Sequence, residues 1–332
     1  MQIPSFWAEA LATGEVRGRP RTVRRFGWSD RSEAEARQHA EERAWQSLLE
    51  LQAGRRIAPR ERKLAYGGEG LPIREQVIAR SGADVVTRNR YGARCLNEPD
   101  VWFGDLDLAE RPLLAPTTER LFALLIGSST TLAIAAAVWA FSQSHFVLGL
   151  AALVVMVVLP LALLIVRVAR RSSPANQEAH RARVWRRIVD FTAARPDARI
   201  AVYETPAGLR LLALHRTFDP TSDEVQAMFG ELGCDPAYAH LCRLQACFRT
   251  RISAKPWRIG LPGLVPRTLW PTPFERLDER EEWIEIYEAK ARDYAACRFV
   301  EELGQGPIDP RCADVRRMHD EMCRARSDLP LA

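Results

Sequence analysis

Between Leu121 and Val166 the chain carries no Asp, Glu, Lys or Arg over 46 consecutive residues. A helix buried in a globular core needs only about 10 to 14 apolar residues, whereas crossing about 30 Å of hydrocarbon at about 1.5 Å per residue needs about 20. The run therefore predicts two membrane spans, Leu121–Phe141 and Phe146–Val166, joined by the polar link Ser142-Gln143-Ser144-His145. So short a link makes the spans antiparallel neighbours, and both flanks leave on one side. Arg111 and Arg120 precede the run, and Arg167, Arg170, Arg171, Arg181, Arg183, Arg186 and Arg187 follow it. Positive flanks mark the cytoplasmic side. The expectation is an inner (plasma) membrane protein with two spans, a lipid bilayer as partner and both termini cytoplasmic. No ionisable side chain lies within the spans, which suits an anchor better than a transport path.

The rest of the chain is polar and arginine-rich. Lys and Arg total 47 against 42 Asp and Glu, a net charge of +5, and only Lys63, Lys255 and Lys290 are lysine. Arginine suits phosphate contacts. Met1-Gln2-Ile3-Pro4 opens neither a basic nor an apolar region, so no secretory signal is expected. Seven cysteines without a CxxC pair suit reduced thiols. Cys234, His240, Cys242 and Cys247 cluster in sequence, but their spacing fits no zinc pattern.

Residues 1–70 read as a small N-terminal α/β module and linker. A short helix leads into a strand at Thr22–Trp28, and a helix runs to about Gln52 with Ser32 and Glu35 set for a capping box. Arg55–Gly70 is basic, then glycine-rich, and reads as a linker. Residues 71–120 supply the first strands of the core: Val85–Asn89 and Ala93–Asn97, broken by Tyr91-Gly92, and then Val101–Leu108. The hairpin occupies 121–168. Residues 169–258 continue with a helix at Asn176–Ala194, strands at Arg199–Thr205 and Leu209–Arg216, helices ending at Leu232 and Gln245, and a strand at Cys247–Ser253. Residues 259–332 form a C-terminal helical segment with a long helix over Phe274–Leu303 and a short one over Ala313–Arg324. From Val101 the order is strand, helix, strand, strand, helix, strand. The predicted class is α+β, a ferredoxin-like (split βαβ) cytoplasmic core interrupted by the transmembrane hairpin.

The chemistry concentrates in Val101-Trp102-Phe103-Gly104-Asp105-Leu106-Asp107-Leu108. Side chains alternate along a strand, which puts Asp105 and Asp107 on one face, roughly 7 Å apart. Paired carboxylates of this kind suit Mg²⁺ or Mn²⁺ carrying a phosphate substrate. In a split βαβ sheet the fourth strand lies beside the first. That would bring Arg249 and Arg251 next to the aspartates, with Lys255 and Arg258 continuing the basic run. Two outcomes stay open: a metal–phosphate site flanked by arginines, or an ion-pair network in which Arg249 and Arg251 neutralise Asp105 and Asp107.

Val101–Leu108 resembles the hydrophobic-Asp-hydrophobic-Asp-hydrophobic first motif of the archaeo-eukaryotic primase superfamily. The turn Glu204-Thr205-Pro206-Ala207-Gly208-Leu209-Arg210 resembles its phosphate-contacting second motif, with Arg210 where that family has His. The resemblance implies metal binding by Asp105 and Asp107, phosphate contact by Arg210, and a third acid for which Asp219 is nearest. Glu204, as a third ligand, and His215 are weaker candidates. Asn89–Leu108, the Glu204–Arg210 turn and Cys247–Trp257 also resemble an uncharacterised bacterial family of two-span membrane proteins, which implies location and no activity. Phe103 offers a stacking ring, but Leu209–Arg216 has no aromatic residue, so sequence-specific nucleic-acid recognition is not expected. Two functions follow: a binding or regulatory module for an anionic ligand, nucleotide or partner, or a metal-dependent nucleotidyl or phosphoryl transferase. Arg210, Arg249, Arg251 and Lys255 are the expected phosphate contacts in either.

Overall fold

Arg17 and Gly18 both adopt positive φ, of 52° and 73°, the geometry of a two-residue turn that matches the twist of paired strands. They close an antiparallel hairpin of β1 (Phe6–Val16) and β2 (Arg19–Ser29). The structure is a computed structural model and describes residues 1–61, 71–108 and 174–332. Ala8, Ala10 and Ala12 point to one face of β1, where Ala36, Ala40, Ala44 and Leu48 of α1 (Glu33–Gln52) cover them. Ser32 caps α1 by accepting from the Glu35 N–H, as its sequence predicts. The expected short helix at the start of the chain is instead a strand. Ala, Glu and Leu are good helix formers, but their burial here alternates with period two, and pairing with β2 overrides propensity.

Two further antiparallel sheets follow. One has the order β3-β4-β5-β9, from β3 (Gln76–Ser81), β4 (Asp84–Arg88), β5 (Arg94–Glu98) and β9 (Phe248–Arg251). The other has the order β10-β7-β8-β6, from β6 (Phe103–Asp107), β7 (Ile200–Thr205), β8 (Gly208–Ala213) and β10 (Arg298–Leu303). The helices are α2 (Pro174–Ala193), α3 (Asp223–Leu232), α4 (Pro236–Gln245), α5 (Leu277–Ala291) and α6 (Pro310–Cys323). Ser222 caps α3 and Asp235 caps α4, each through its side chain. The core between them holds Trp102, Phe103, Tyr203, Phe229 and Phe248, all fully buried.

This arrangement corrects the ferredoxin-like expectation. Three strands follow the split βαβ order, with β8 between β6 and β7. The fourth does not: β9 joins β5 in the other sheet, with Asn97 opposite Arg249 and Leu96 opposite Thr250. The far edge is taken by β10, whose residues were expected inside one long helix. That helix ends at Ala291, and Arg298–Leu303 pairs antiparallel with β7. Long-range pairing decides both changes, and helix propensity in Glu301-Glu302-Leu303 yields to it.

The membrane expectation is corrected as well. Among the described residues no helix is long and apolar enough to cross a membrane. The longest, α1 and α2, have 20 residues each, but their sequences interleave charges such as Glu41, Glu42 and Arg43, or Arg183, Arg186 and Arg187. The expected spans Leu121–Phe141 and Phe146–Val166 lie outside the described residues. A two-span inner-membrane protein with cytoplasmic termini is thus not borne out.

The chain divides into two units, Met1–Leu106 with Arg187–Ala332, and Asp107–Arg186. Of the second unit only 107–108 and 174–186 are described. Apart from Asp107, the site residues described below lie in the first.

Candidate functional site

Asp105 lies in the edge strand β6, half exposed, and its partner is Arg210 of β8. The Arg210 Nε donates to Asp105 Oδ1 at 3.1 Å. The Arg210 side chain is only 3% exposed, because every residue of β8 is buried. Its Nη1 donates to the Arg251 carbonyl at 2.9 Å and lies 3.4 Å from His319 Nε2. Burial pulls the guanidinium down, but the charge and hydrogen bond of Asp105 together with the Cys297 and Cys323 sulfurs outweigh it and hold the group above its ordinary value. Arg210 is thus a structural counter-ion with its donors directed inward.

The other expected phosphate contacts are also turned to internal partners. Arg249 pairs with Glu75, whose Oε2 also accepts from Thr87 Oγ1 at 2.8 Å. Arg251 donates to the Ser253 carbonyl at 2.6 Å. Lys255 Nζ sits 5.5 Å from the centre of the Trp257 ring, a cation–π distance. Asp107 is exposed at the end of β6. The structure therefore brings Arg210 to Asp105, and places Arg249 in the other sheet with its own carboxylate.

Of the weaker candidates, Asp219 accepts from the Thr221 N–H at 2.8 Å and its hydroxyl at 2.7 Å, bonds that hold its carboxyl below the ordinary value. It opens the turn into α3. His215 Nδ1 lies 3.2 Å from the Arg199 amide nitrogen, and burial lowers its pKa. Glu204 stands opposite Arg298 in the β7–β10 register. The Cys234, His240, Cys242, Cys247 stretch is not gathered into one site: His240 is exposed while the three cysteines are buried. Burial pushes the Cys242 thiol up to about 12 and the Cys247 thiol up to about 11.

Arginine does converge on open space elsewhere. Where the β1–β2 turn meets the segment after α1, Arg17, Arg19, Arg21, Arg55 and Arg56 line a concavity of about 890 Å³ with Val16, Leu51 and Ile57. All five arginines are exposed. The segment is fixed in place: the Arg24 N–H donates to the Pro59 carbonyl at 2.8 Å, and the Arg25 guanidinium reaches the Ala58 and Pro59 carbonyls. Within ion-pair distance of the five, the described residues offer one carboxylate, Glu50, 3.5 Å from Arg55. Sequence reading assigned Arg55–Gly70 to a linker. A further signal is legible there: arginine at 17 in the turn and at 19 and 21 on one side of β2, with a second cluster at 55–56.

Comparison with protein-family models, with curated proteins and with solved structures finds no match to the chain. The resemblances to the primase superfamily and to the two-span family therefore rest on their short motifs alone.

Proposed function

We propose that the chain is a binding module for a phosphate-bearing anion, and that the β1–β2–α1 module is where it binds. The observation that carries this is the concavity lined by five exposed arginines with one carboxylate among them. Five guanidinium groups of one sign repel one another, and holding them together with a single described carboxylate, Glu50, in ion-pair reach favours an anion from outside. The planar fork of arginine matches phosphate oxygens, and a volume of about 890 Å³ suits a nucleotide-sized ligand. The lining holds no aromatic ring on which a base could stack, which supports recognition through phosphate and not through base identity.

Phosphoryl transfer at Asp105 and Asp107 draws less support from the geometry. Asp105 already has a buried guanidinium as counter-ion, and Arg249 has Glu75, so a metal–phosphate complex would have to displace an internal pair.

Calorimetry with pyrophosphate, ATP and a mixed-sequence single-stranded oligonucleotide tests the proposal on the parent and on an Arg19→Glu/Arg56→Glu variant. Binding by the parent, reduced about tenfold or more in the variant, supports it; that factor is about 1.4 kcal/mol. Equal affinity in the two proteins would remove the concavity from consideration.

A further inference from the structure

His319 of α6 is fully buried, and its two ring nitrogens face different partners. Nδ1 lies 3.3 Å from Asp320 Oδ1. Nε2 lies 3.4 Å from Arg210 Nη1 and 3.8 Å from Cys297 Sγ. A guanidinium only donates, so the Arg210 contact requires Nε2 to be the acceptor and puts the ring proton on Nδ1, where the Asp320 carboxylate accepts it. The Nε2 lone pair is thus shared between Arg210 and the space beside Cys297, and an ion bound there would take it over from the Arg210 contact.

Cys323 completes that space. It follows His319 by one helical turn, so both side chains leave the same face of α6, while Cys297 arrives from the residue before β10. The three donor atoms lie within 4.8 Å of one another. The chain on either side is tied down, with the Ala296 N–H donating to the Cys323 carbonyl at 3.0 Å. Exposure is 0% for Cys297, 0% for His319 and 1% for Cys323. Phe103 and Tyr203 wall the site, with ring centres 5.3 and 4.8 Å from the imidazole.

We propose that Cys297, His319 and Cys323 form a binding site for one soft d¹⁰ metal ion, Zn²⁺ or Cu⁺. Two sulfurs and an imidazole are the ligand set such ions select over oxygen. Metal–sulfur bonds of about 2.3 Å and metal–nitrogen bonds of about 2.0 Å separate S and N by about 3.5 Å at a tetrahedral angle and about 3.7 Å at a trigonal one. The Cys297–His319 distance of 3.8 Å lies slightly above the trigonal value. Asp320 on Nδ1 supplies the carboxylate–histidine support that fixes ligand orientation and raises ligand basicity. Two thiolates balance the charge of Zn²⁺, or leave one negative charge with Cu⁺ beside the Arg210 cation. The site shares no residue with the arginine concavity, so either reading can fail alone.

The full chain, reduced and stripped with chelator, is titrated separately with Zn²⁺ and Cu⁺ against colorimetric competitors. One equivalent is expected, retained in Cys312→Ser, lost in Cys297→Ser and in His319→Gln, and weakened about 10- to 100-fold in Asp320→Asn. Uptake of only one ion identifies the metal. Because a core variant can misfold, the unsubstituted chain is also read spectroscopically. A near-ultraviolet thiolate-to-metal charge-transfer band with Co²⁺, standing in for Zn²⁺, or with Cu⁺ supports the site. No such band with either ion, or uptake unchanged in Cys297→Ser, overturns it.

Discussion

Arg210 Nε donates to Asp105 Oδ1 at 3.1 Å while Nη1 of the same side chain donates to the Arg251 carbonyl at 2.9 Å. One buried guanidinium thus joins the edge strand of one sheet to the last strand of the other. The two partners differ in exposure, 3% for the Arg210 side chain and 41% for Asp105, so their losses are unequal. Asp105→Asn leaves a buried cation without its counter-charge and is expected to cost about 3 kcal/mol or more. Arg210→Met removes the cation, leaves a carboxylate that water can reach, and is expected to cost less. In Asp105→Asn/Arg210→Met the cost falls below the sum of the single changes by about 1 kcal/mol or more. Urea denaturation of the four proteins measures the cycle. Additive costs would show that the pair does not act as a unit.

Glu98 of β5 gives the fold a pH dependence of known sign. Its side chain is fully buried, and Asp84 and Asp100 share with it the guanidinium of Arg311. Burial, then the hydrogen bond and charge of Asp84, raise the Glu98 carboxyl from 4.5 to about 10. Below about pH 4.5 folded and unfolded chains both hold this proton and the group is neutral to stability. Between there and pH 10 only the folded state binds it, so the unfolded state is favoured increasingly as pH rises. Glu98→Gln keeps the shape and the donor to Asp84 while removing the titration. Between pH 6 and 8 the variant should gain on the parent by up to about 1.4 kcal/mol per pH unit, and the two should converge near pH 4. Denaturation midpoints across that range read the difference; parallel curves would contradict it.

Gly27 of β2 reports how closely the N-terminal sheet meets its helix. A Cβ there would fall 2.1 Å from the Ala40 amide nitrogen and 2.4 Å from the Ala36 carbonyl oxygen. Both are helix backbone and cannot turn aside as a side chain could. Gly27→Ala should therefore force β2 and α1 apart and cost at least about 2 kcal/mol. Gly18, in the turn, meets nothing within 4 Å but has φ of 73°, so Gly18→Ala should cost only the strain of the left-handed backbone, about 1 kcal/mol. Thermal denaturation that ranks the two variants in the opposite order would refute the close packing.

Local signals in the sequence carried much of the secondary structure. The cap at Ser32 acts through neighbouring residues, and it stands where the sequence places it. The partner of β9 could not be read this way. Phe248-Arg249-Thr250-Arg251 alternates equally well against β6 or β5, and the choice is made by Glu75, Asn97 and other residues distant in sequence. Asp105 was legible as a charged residue on a strand, but its counter-ion was sought on the fourth strand and comes from β8. His319 and Cys323, one turn apart on α6, were open to notice as a pair. Cys297, the third member, is 22 residues away from His319, and no local pattern connects it to them.

The arginine concavity makes a quantitative prediction about salt. An anion held by guanidinium groups releases condensed counter-ions from a nucleic-acid strand, and log K falls with log salt by about 0.7 for each phosphate of a single strand that is neutralised. If all five arginines that line the concavity each neutralise one phosphate, the slope for a single-stranded oligonucleotide approaches about −3.5. Each Arg→Gln change among Arg17, Arg19, Arg21 and Arg56 should then reduce the slope by about 0.7. Arg55 should contribute less, because Glu50 lies 3.5 Å away and already supplies part of its counter-charge. Removing that carboxylate with Glu50→Gln should steepen the slope. Fluorescence anisotropy at several salt concentrations gives each value. If phosphate and not base is read, oligonucleotides of the same length and different sequence should give one slope and nearly one affinity. A slope near zero, or an affinity set by base sequence, would place the contact on other residues.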